Sequence, residues 1–236
     1  MRRLSGAHEH LDGGLSDRAA LIGNLRDLER INRRFGGTAL SMRAVRALVG
    51  SSAPVGVLHV LDVGTGAADM PLAMMRATGA WRTVRVTAID SRQEVIDAAL
   101  ALHPRLPLRA AMELGVADGR RLPYADATFD VAHASLVLHH LEPPAALELL
   151  RELRRVSRLG VVINDLARGR LNWLGAWLVL HAMTRNRFTL HDGPLSVRRA
   201  YTRAEARELV REAGLRPLFE AVGFAGHRWA IAAVRP

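Results

Sequence analysis

The chain has 236 residues, of which 49% are hydrophobic, enough for one large domain with its own core, and this composition excludes a disordered chain. It contains no cysteine, which excludes disulfide bonds, thiolate metal ligands and a cysteine nucleophile. The formal net charge of +10 comes with no lysine at all, so arginine supplies every basic side chain. Because the arginines are scattered and aromatic residues make up only 5%, composition makes nucleic-acid binding an unfavoured interpretation.

The first ten residues lack the apolar stretch of a secretory signal. No stretch of the sequence reaches the roughly 18 apolar residues of a membrane span. We therefore expect a cytoplasmic protein.

Residues 1–15 show no periodic pattern and predict a loose tail. A helix is predicted next, because apolar residues recur at helical spacing until the glycine pair at 36 and 37: Leu21, Leu25, Leu28, Ile31 and Phe35. Residues 38–49 predict a second helix, and the Gly-Ser-Ser-Ala-Pro run at 50–54 predicts a break. We expect residues 1–50 to form this tail and a helical lid, and residues 51–236 to form the main domain.

Strands and helices alternate from residue 57 onward. The predicted strands cover 57–63, 84–90, 114–117, 129–133 and 160–164. The predicted helices between them cover 70–78, 93–102 and 145–157. This alternation predicts an α/β fold in which a parallel sheet has helices on both faces.

Residues 166–200 interrupt the alternation and predict an inserted cap. Residues 171–180 are apolar nearly all round, and arginines flank them on both sides. Thr202 and Glu205 then have the spacing of a capping box, which predicts a helix that ends before Gly214. Two closing strands are predicted at 218–222 and 228–233.

The stretch from residue 60 to 69, Val-Leu-Asp-Val-Gly-Thr-Gly-Ala-Ala-Asp, is the most informative part of the sequence. An apolar run ends at Asp62, and Gly64 and Gly66 follow, which predicts a buried strand whose end lets a nucleotide-like ligand approach the backbone. Asp62 and Asp69 would repel phosphate but suit a ligand with positive charge and hydroxyl groups. The pattern therefore favours S-adenosylmethionine over ATP or NAD.

Polar residues also stand at the ends of the later strands, where ligands of open parallel sheets bind. Asp90 and Ser91 follow the second strand, and an acid there can accept hydrogen bonds from both ribose hydroxyls. Asp118 and Gly119 follow the third strand, where an acid can accept from an adenine amine. The fourth strand ends in His133-Ala134-Ser135.

These motifs together resemble the class I S-adenosylmethionine-dependent methyltransferases, most closely the small-molecule branch that includes quinone-biosynthesis enzymes. The matching segments are residues 61–69, Asp90, residues 117–124 and residues 129–141. The resemblance covers about residues 55 to 235. It implies a Rossmann-like, seven-stranded, mostly parallel sheet with an antiparallel C-terminal strand and an N-terminal helical lid.

The resemblance also implies a set of cofactor contacts. Gly64, Thr65 and Gly66 would lie against the methionine and ribose parts, with Asp62 and Asp69 beside them. Asp90 and Ser91 would hold the ribose, and Asp118 and Gly119 would lie near adenine. His133 or Ser135 would lie near the methionine part, and Asn32 and Arg33 would close over the cofactor. The product would be S-adenosylhomocysteine.

Three other functions compete with a small-molecule methyltransferase. Asp69 would face the pyrophosphate of a dinucleotide, which disfavours a dehydrogenase. The fourth strand is not followed by the Asn/Asp-Pro-Pro-aromatic motif of base-amine methyltransferases, but RNA methylation at ribose or a ring carbon stays open. A catalytically inactive partner subunit that binds the cofactor is the third alternative.

Methyl transfer to a phenol would benefit from a general base. The candidates are His139, His140 and His191, the last with Asp192 beside it to orient the imidazole; Asp165 is a further candidate. Asn164 and Asp165 could offer two oxygen ligands to a metal, but no third is evident, so we predict no metal site.

The apolar segment at 171–183 permits two interpretations. It forms a buried helix, or it forms a cap whose Trp173, Trp177 and Phe188 line a flat hydrophobic pocket. The flanking arginines would allow peripheral contact with an anionic membrane if the acceptor is lipid-like. We expect methylation of oxygen, less readily carbon, in a small aromatic, quinone-like or polyketide acceptor of secondary metabolism, by a monomer or homodimer.

Overall fold

The computed structural model describes residues 1–13, 17–50, 56–77, 83–106 and 111–236. The strands are β1 (Val57–Val63), β2 (Thr83–Asp90), β3 (Met112–Val116), β4 (Phe129–Ser135), β5 (Ser157–Leu166), β6 (Arg216–Val222) and β7 (Arg228–Val234). The helices are α1 (Arg18–Arg34), α2 (Gly37–Val49), α3 (Asp69–Ala77), α4 (Gln93–Leu102), α5 (Pro143–Val156), α6 (Arg170–Met183), α7 (Arg187–Arg199) and α8 (Arg203–Glu212). Short 3₁₀ helices lie at His10–Asp12, Leu138–His140 and Phe224–Gly226.

The strands form one seven-stranded sheet in the order β3-β2-β1-β4-β5-β7-β6. The first five strands pair in parallel, and β7 runs antiparallel to both of its neighbours, β5 and β6. The strand order reverses at β1. On one side of β1 the sheet continues with β2 and β3, and on the other side it continues with β4, β5, β7 and β6. This topology confirms the predicted Rossmann-like fold, and it puts the ends of β1 and β4 at the point where such sheets bind ligands.

The predicted elements all occur, in the predicted order. The predicted helix at 70–78 ends in the structure at Ala77, and residue 78 lies outside the described residues. The predicted break at 50–54 and the boundary between lid and main domain fall on residues 51–55, which also lie outside them. That boundary therefore stays a prediction.

Alternate residues of the central strands contribute their side chains to two hydrophobic cores, one on each face of the sheet. Leu61 of β1 packs in a cluster with Leu149 and Leu153 of α5. Val60, its neighbour in the sequence, packs in a second cluster with Leu48 of α2. Because successive residues of a strand point to opposite faces of the sheet, each face packs against a different helix.

The predicted loose tail is wrong for residues 1–13, which are packed against the main domain. Arg3 donates to a carboxylate oxygen of Glu142 at 2.5 Å and to the carbonyl of Leu141 at 2.8 Å. The Glu9 carboxylate is buried, and it accepts a hydrogen bond from Arg199 at 3.1 Å. Ion pairs with residues distant in the sequence hold this segment in place. The spacing of hydrophobic residues does not indicate such pairs, so sequence reasoning missed them.

The predicted cap consists of α6 and α7, which pack against each other. Asn186 caps α7 through its side-chain oxygen, which accepts from the backbone N–H groups of Phe188 and Thr189. The capping box of Thr202 and Glu205 opens α8 as predicted. Among the described residues, no helix has the length and apolar character needed to cross a membrane.

A buried polar network ties the lid to the sheet. The Nδ1 atom of His133 lies 2.6 Å from Oδ1 of Asp62, and its Nε2 atom lies 2.9 Å from the hydroxyl of Ser41 on α2. The Asn164 side-chain amide donates to the same hydroxyl at 2.9 Å and to the carbonyl of Gly37 at 2.8 Å. Since Ser41, His133 and Asn164 have no solvent exposure, this network is what holds α2 in register over β4 and β5.

We expect Ser41→Ala to destabilise the protein by about 1–3 kcal/mol, because it leaves two buried polar groups without their shared partner. Denaturant unfolding measures the change. Thr83→Ala, which removes an exposed hydroxyl at the start of β2, serves as the control. Equal stability of the two variants would contradict the structural importance of the network.

Candidate active site

A cavity of about 670 Å³ lies at the carboxyl ends of β1, β2 and β4. The lid helix α1 covers it through Leu25, Leu28, Ile31, Asn32 and Phe35, and α6 and α7 close another side. Its volume falls within the roughly 300–1,000 Å³ of small-molecule sites. Arg33, the other lid residue expected over the cofactor, is exposed and does not line the cavity.

The glycine turn after β1 forms the floor of the cavity. Gly64 has φ +69° and Gly66 has φ +52°, and a Cβ at Gly64 would stand 2.3 Å from Cγ2 of Val137. Glycine is therefore required at 64 by both conformation and space. Thr65 also lines the cavity, and its hydroxyl is buried without a hydrogen-bond partner in the described structure.

Three of the predicted carboxylates stand around this turn. Asp62, Asp69 and Asp90 all line the cavity. Asp90 accepts a hydrogen bond from the backbone N–H of Gly66 at 3.2 Å, and Asp69 accepts from the Asn32 amide at 3.0 Å. Burial is the largest influence on both Asp69 and Asp90, and it raises the pKa of each. A ligand with positive charge or hydroxyl donors would stabilise the ionised form of such buried carboxylates.

The predicted adenine side is more open. Ser91, Asp118 and Gly119 line the cavity. The Asp118 carboxylate forms a bidentate pair with the Arg120 guanidinium, at 3.1 and 2.8 Å, and this pair lowers the pKa of Asp118. A Cβ at Gly119 would stand 2.6 Å from Val63, so core packing alone explains that glycine. Contact of Asp118 with adenine stays a prediction.

Ser135 and His133 have different positions although they share one strand end. Ser135 lines the cavity, and its hydroxyl is buried without a partner in the described structure. His133 shares a face of β4 with Ser135 but lies two residues further back from the strand end, so it does not line the cavity, and both of its ring nitrogens are engaged by Asp62 and Ser41. The expectation that His133 lies beside the methionine part is corrected: it positions Asp62 from behind.

His139 lines the cavity and forms a buried pair with Asp165. Its Nδ1 atom lies 2.6 Å from Oδ1 of Asp165, and its backbone N–H donates to Oδ2 at 3.0 Å. Burial alone would raise the pKa of Asp165, but the charge and hydrogen bonds of His139 outweigh it and lower that pKa. An ionised Asp165 holds the ring proton on Nδ1, so that Nε2 is the acceptor atom in the neutral form of the His139 ring.

His140, the next residue, is held by acids of the N-terminal segment. Its Nδ1 atom lies 2.7 Å from Oδ1 of Asp12, and its Nε2 atom lies 3.9 Å from the Glu9 carboxylate. Burial would lower the pKa of His140, but Glu9 and Asp12 together raise it to about 9. His140 therefore carries its proton at neutral pH and is unsuited to act as a base.

Glu9, His139 and His140 also place one potential metal-ligand atom each within 4.8 Å of one another. The Glu9 carboxylate is already bonded, by Arg199 at 3.1 Å and by the Ser196 hydroxyl at 2.8 Å. We therefore assign this group to proton and ion-pair chemistry. The sequence-based prediction of no metal site stays a prediction.

The structure does not bring His191 into the cavity. Its ring bonds the neighbouring Asp192 at 2.8 Å, as the sequence suggested, but the side chain is 49% exposed. The reason is the phase of α7, whose cavity-lining residues recur at helical spacing and omit 191: Thr189, Asp192, Gly193, Ser196 and Val197. The expectation that His191 is the base is therefore corrected.

The three aromatic residues predicted to line an acceptor pocket lie elsewhere. Trp173 and Trp177 are 36% and 42% exposed on the outer side of α6, and Phe188 is buried against His10 in a 4.9 Å stack. The inner side of α6 carries smaller groups: Leu171, Asn172, Gly175, Ala176, Val179 and Leu180. Aromatic lining comes from Phe35 and Phe224. The interpretation of this segment as a buried helix also fails, because Leu171 is 84% exposed.

Sequence reasoning missed four charged residues in and around the site: Glu9 and Arg228, which line the cavity, and Asp12 and Arg199, which bond to residues of its wall. The two acids lie in the segment taken for a loose tail, and the two arginines are among many in the chain. No sequence pattern distinguished them. Only the folded structure does so: Glu9, Arg199 and Arg228 are buried there, and Asp12 is bonded to His140.

The comparisons with known proteins agree with this geometry. Residues 60–160 match a family model described as a methyltransferase domain. An O-methyltransferase, resE of Aspergillus sclerotiorum, is 32% identical over 121 residues, which cover 50% of this chain and 43% of that protein. The chain thus spans less than half the length of this curated relative.

Solved structures share the fold at low identity. A SAM-dependent methyltransferase from Aquifex aeolicus has a TM-score of 0.63 at 20% identity, over 91% of this chain and 98% of its own. Human N-acetylserotonin methyltransferase in complex with SAM has a TM-score of 0.65 at 14% identity, over 93% of this chain and 56% of its own. The sequence match is thus to a methyltransferase domain over residues 60–160, and the fold is shared with solved structures of the SAM-dependent methyltransferase superfamily.

The residues present fit that superfamily's cofactor. The buried, unpartnered hydroxyls of Thr65 and Ser135 offer hydrogen bonds to a ligand. The acids at the ends of β1 and β2 suit its cationic sulfonium, its ammonium and its ribose hydroxyls. The glycine turn leaves room for close contact with the backbone.

We expect Asp90→Ala to weaken binding of S-adenosylhomocysteine about 10- to 100-fold, because hydrogen bonds to a charged acceptor contribute roughly 1.5–3 kcal/mol. Isothermal titration calorimetry measures the change. Asp97→Ala removes an exposed acid of α4 and should leave the affinity unchanged. Equal affinity of the Asp90 variant and the native protein would refute the ribose role.

The raised pKa of His140 predicts a pH dependence of stability. Because the folded-state pKa of about 9 exceeds the ordinary 6.5, this stabilisation is fully present below pH 6.5 and is lost as pH rises through 9. The effect is on the order of 3 kcal/mol. Unfolding free energies measured from pH 6 to 10 should fall less in His140→Asn than in the native protein or in a His181→Asn control. Parallel curves for all three proteins would contradict the assignment.

Proposed function

We propose that this protein transfers the methyl group of S-adenosylmethionine to a hydroxyl oxygen of a small hydrophobic aromatic, quinone-like or polyketide acceptor, with His139 as general base. The observation that carries this proposal is the buried His139–Asp165 pair on the cavity wall. Carbon methylation is the less favoured reaction, because a hydroxyl is the group whose proton such a base removes most directly.

The pair has the arrangement that a base requires. Asp165 accepts from the ring and the backbone of His139 and from the backbone N–H of Leu166 at 2.6 Å, so the carboxylate is fixed and ionised. The Nε2 atom of His139 then accepts the proton of the acceptor hydroxyl. The Glu9 carboxylate, 3.8 Å from that Nε2 atom, stabilises the imidazolium that forms.

The remaining residues orient the reactants. When bound, S-adenosylmethionine supplies an activated methyl group on a sulfonium leaving group. The glycine turn and its acids hold the cofactor, while α1 and α6 exclude water from above. Correct alignment of this kind can contribute roughly 7–11 kcal/mol to the reduction of a barrier.

The residues that the cap presents to the cavity favour an apolar acceptor. The inner side of α6 presents Leu171, Ala176, Val179 and Leu180 to the cavity, and Phe224 adds an aromatic ring. The O-methyltransferase relative supports oxygen as the accepting atom. Leu174 and Leu178 on the outer side of α6 are 44% and 53% exposed. Exposed apolar side chains of this kind support peripheral contact with a membrane, and such contact would suit a lipid-like acceptor.

We expect His139→Gln to lower kcat about 10²- to 10⁴-fold, because it removes the base. The affinity for S-adenosylhomocysteine should stay unchanged. Initial rates with isotope-labelled cofactor and a panel of phenols, hydroxyquinones and polyketide intermediates measure the effect. The variant should recover activity toward high pH, as a phenolic acceptor with a pKa near 10 ionises without help.

His191→Ala is the matched control for this experiment, since that histidine lies outside the cavity. It should retain native kcat. If His139→Gln kept native activity and His191→Ala lost it, the assignment of the base would be reversed. Absence of transfer to every acceptor in the panel, despite cofactor binding, would instead support an inactive cofactor-binding subunit.

A further inference from the structure

Arg228, the first residue of β7, is a cavity residue that the proposed reaction does not use. Its side chain is 1% exposed, and it lines the cavity. It ranks among the largest fully buried side chains of the described structure. A buried charge is costly unless a partner neutralises it.

The partners of Arg228 do not include an acid. Its Nη1 atom donates to the Asn32 side-chain oxygen at 2.9 Å, and its Nε atom is buried without a hydrogen-bond partner in the described structure. Arg199, the other buried arginine of the described residues, lies outside the cavity lining and is bonded to both Glu9 and Asp12. Unlike Arg199, Arg228 has no carboxylate within ion-pair distance in the described part of the chain.

The surroundings hold this guanidinium in one place. A Cβ at Gly37 would stand 2.0 Å from Nη1 and 2.8 Å from Cζ of Arg228. Gly37 therefore leaves a slot that only glycine permits, and the Asn32 side-chain oxygen lies beside it, 3.0 Å from the same Cβ position. Burial lowers the pKa of Arg228 to about 10, so the group remains charged at neutral pH.

Arg228 opens β7, which lies beside β5 on the β4 side of the sheet. It pairs in register with Leu166 of β5, the residue that follows Asp165. Asp165 exerts the larger electrostatic effect on it, and Asp69, beside the glycine turn, exerts the smaller. Most of the expected cofactor residues follow β1, β2 and β3, on the other half of the sheet; Asn32, expected over the cofactor, and Ser135 of β4 are the exceptions.

We propose that Arg228 binds an oxyanion carried by the acceptor, so that the protein selects an acidic aromatic acceptor such as a hydroxylated aryl carboxylate. This inference rests on the proposed function and narrows its substrate class. The planar guanidinium suits a carboxylate, which it can bind through two parallel hydrogen bonds. A neutral analogue would leave the buried charge unpaired and is therefore disfavoured.

The test measures binding without turnover, which separates it from the test of methyl transfer. The probes are 3-hydroxy-2-naphthoate and its uncharged methyl ester, titrated by fluorescence into the protein saturated with S-adenosylhomocysteine. We expect the native protein to bind the acid at least 10-fold more tightly than the ester. Arg228→Gln should abolish this preference and leave ester binding unchanged.

Three further proteins complete the design. Arg216→Gln removes the same charge from the exposed start of β6 and should keep the native preference. Arg228→Lys retains a charge and should keep part of it. Gly37→Ala should displace the guanidinium and reproduce the Arg228→Gln result, which gives an independent answer if Arg228→Gln fails to fold.

The cofactor also carries a carboxylate, so its affinity is measured in parallel. Arg228→Gln should bind S-adenosylhomocysteine as tightly as the native protein does. If it bound that compound more weakly, yet bound the decarboxylated analogue with native affinity, the oxyanion would belong to the cofactor and the proposal would be overturned. A native protein without preference for the acid, or a variant that keeps the preference, would also overturn it.

Discussion

The short hydrogen bond between Asp62 and His133 is the contact on which the site depends. It joins β1 to β4 at the point where the strand order reverses, and it fixes a carboxylate at the edge of the glycine turn. Ser41 completes the arrangement from α2, so that the floor of the cavity and the N-terminal helices share one buried network. A cofactor site built in this way is oriented before any ligand arrives, which reduces the entropy lost on binding.

Nearby carboxylates give two adjacent histidines, His139 and His140, different roles. Asp165 holds a proton on Nδ1 of His139 and leaves its other nitrogen free, whereas Glu9 and Asp12 keep His140 protonated. The same side chain thus acts as a base in one position and as a structural cation in the next. The N-terminal segment contributes to this difference directly, since it supplies both acids that face His140.

The sequence determined the fold and the cofactor end of the site, because both depend on local patterns. Apolar alternation marks the strands, and the glycine turn together with acids at successive strand ends marks the ligand edge without knowledge of distant contacts. Asp62, Asp69 and Asp90 therefore line the cavity as expected. Gly119 shows the limit of this reasoning, since its glycine is explained by packing against Val63.

Only the tertiary structure decided the acceptor end. The rotation of α6 and α7 turned Trp173, Trp177 and His191 away from the cavity, and a helix that is apolar nearly all round gives no sequence signal for its inner side. Asp12 and His140 are 128 residues apart, and Arg228 meets Asn32 across 196 residues. Such pairs form because the folded chain buries their charges together, a condition that no local pattern of residues encodes.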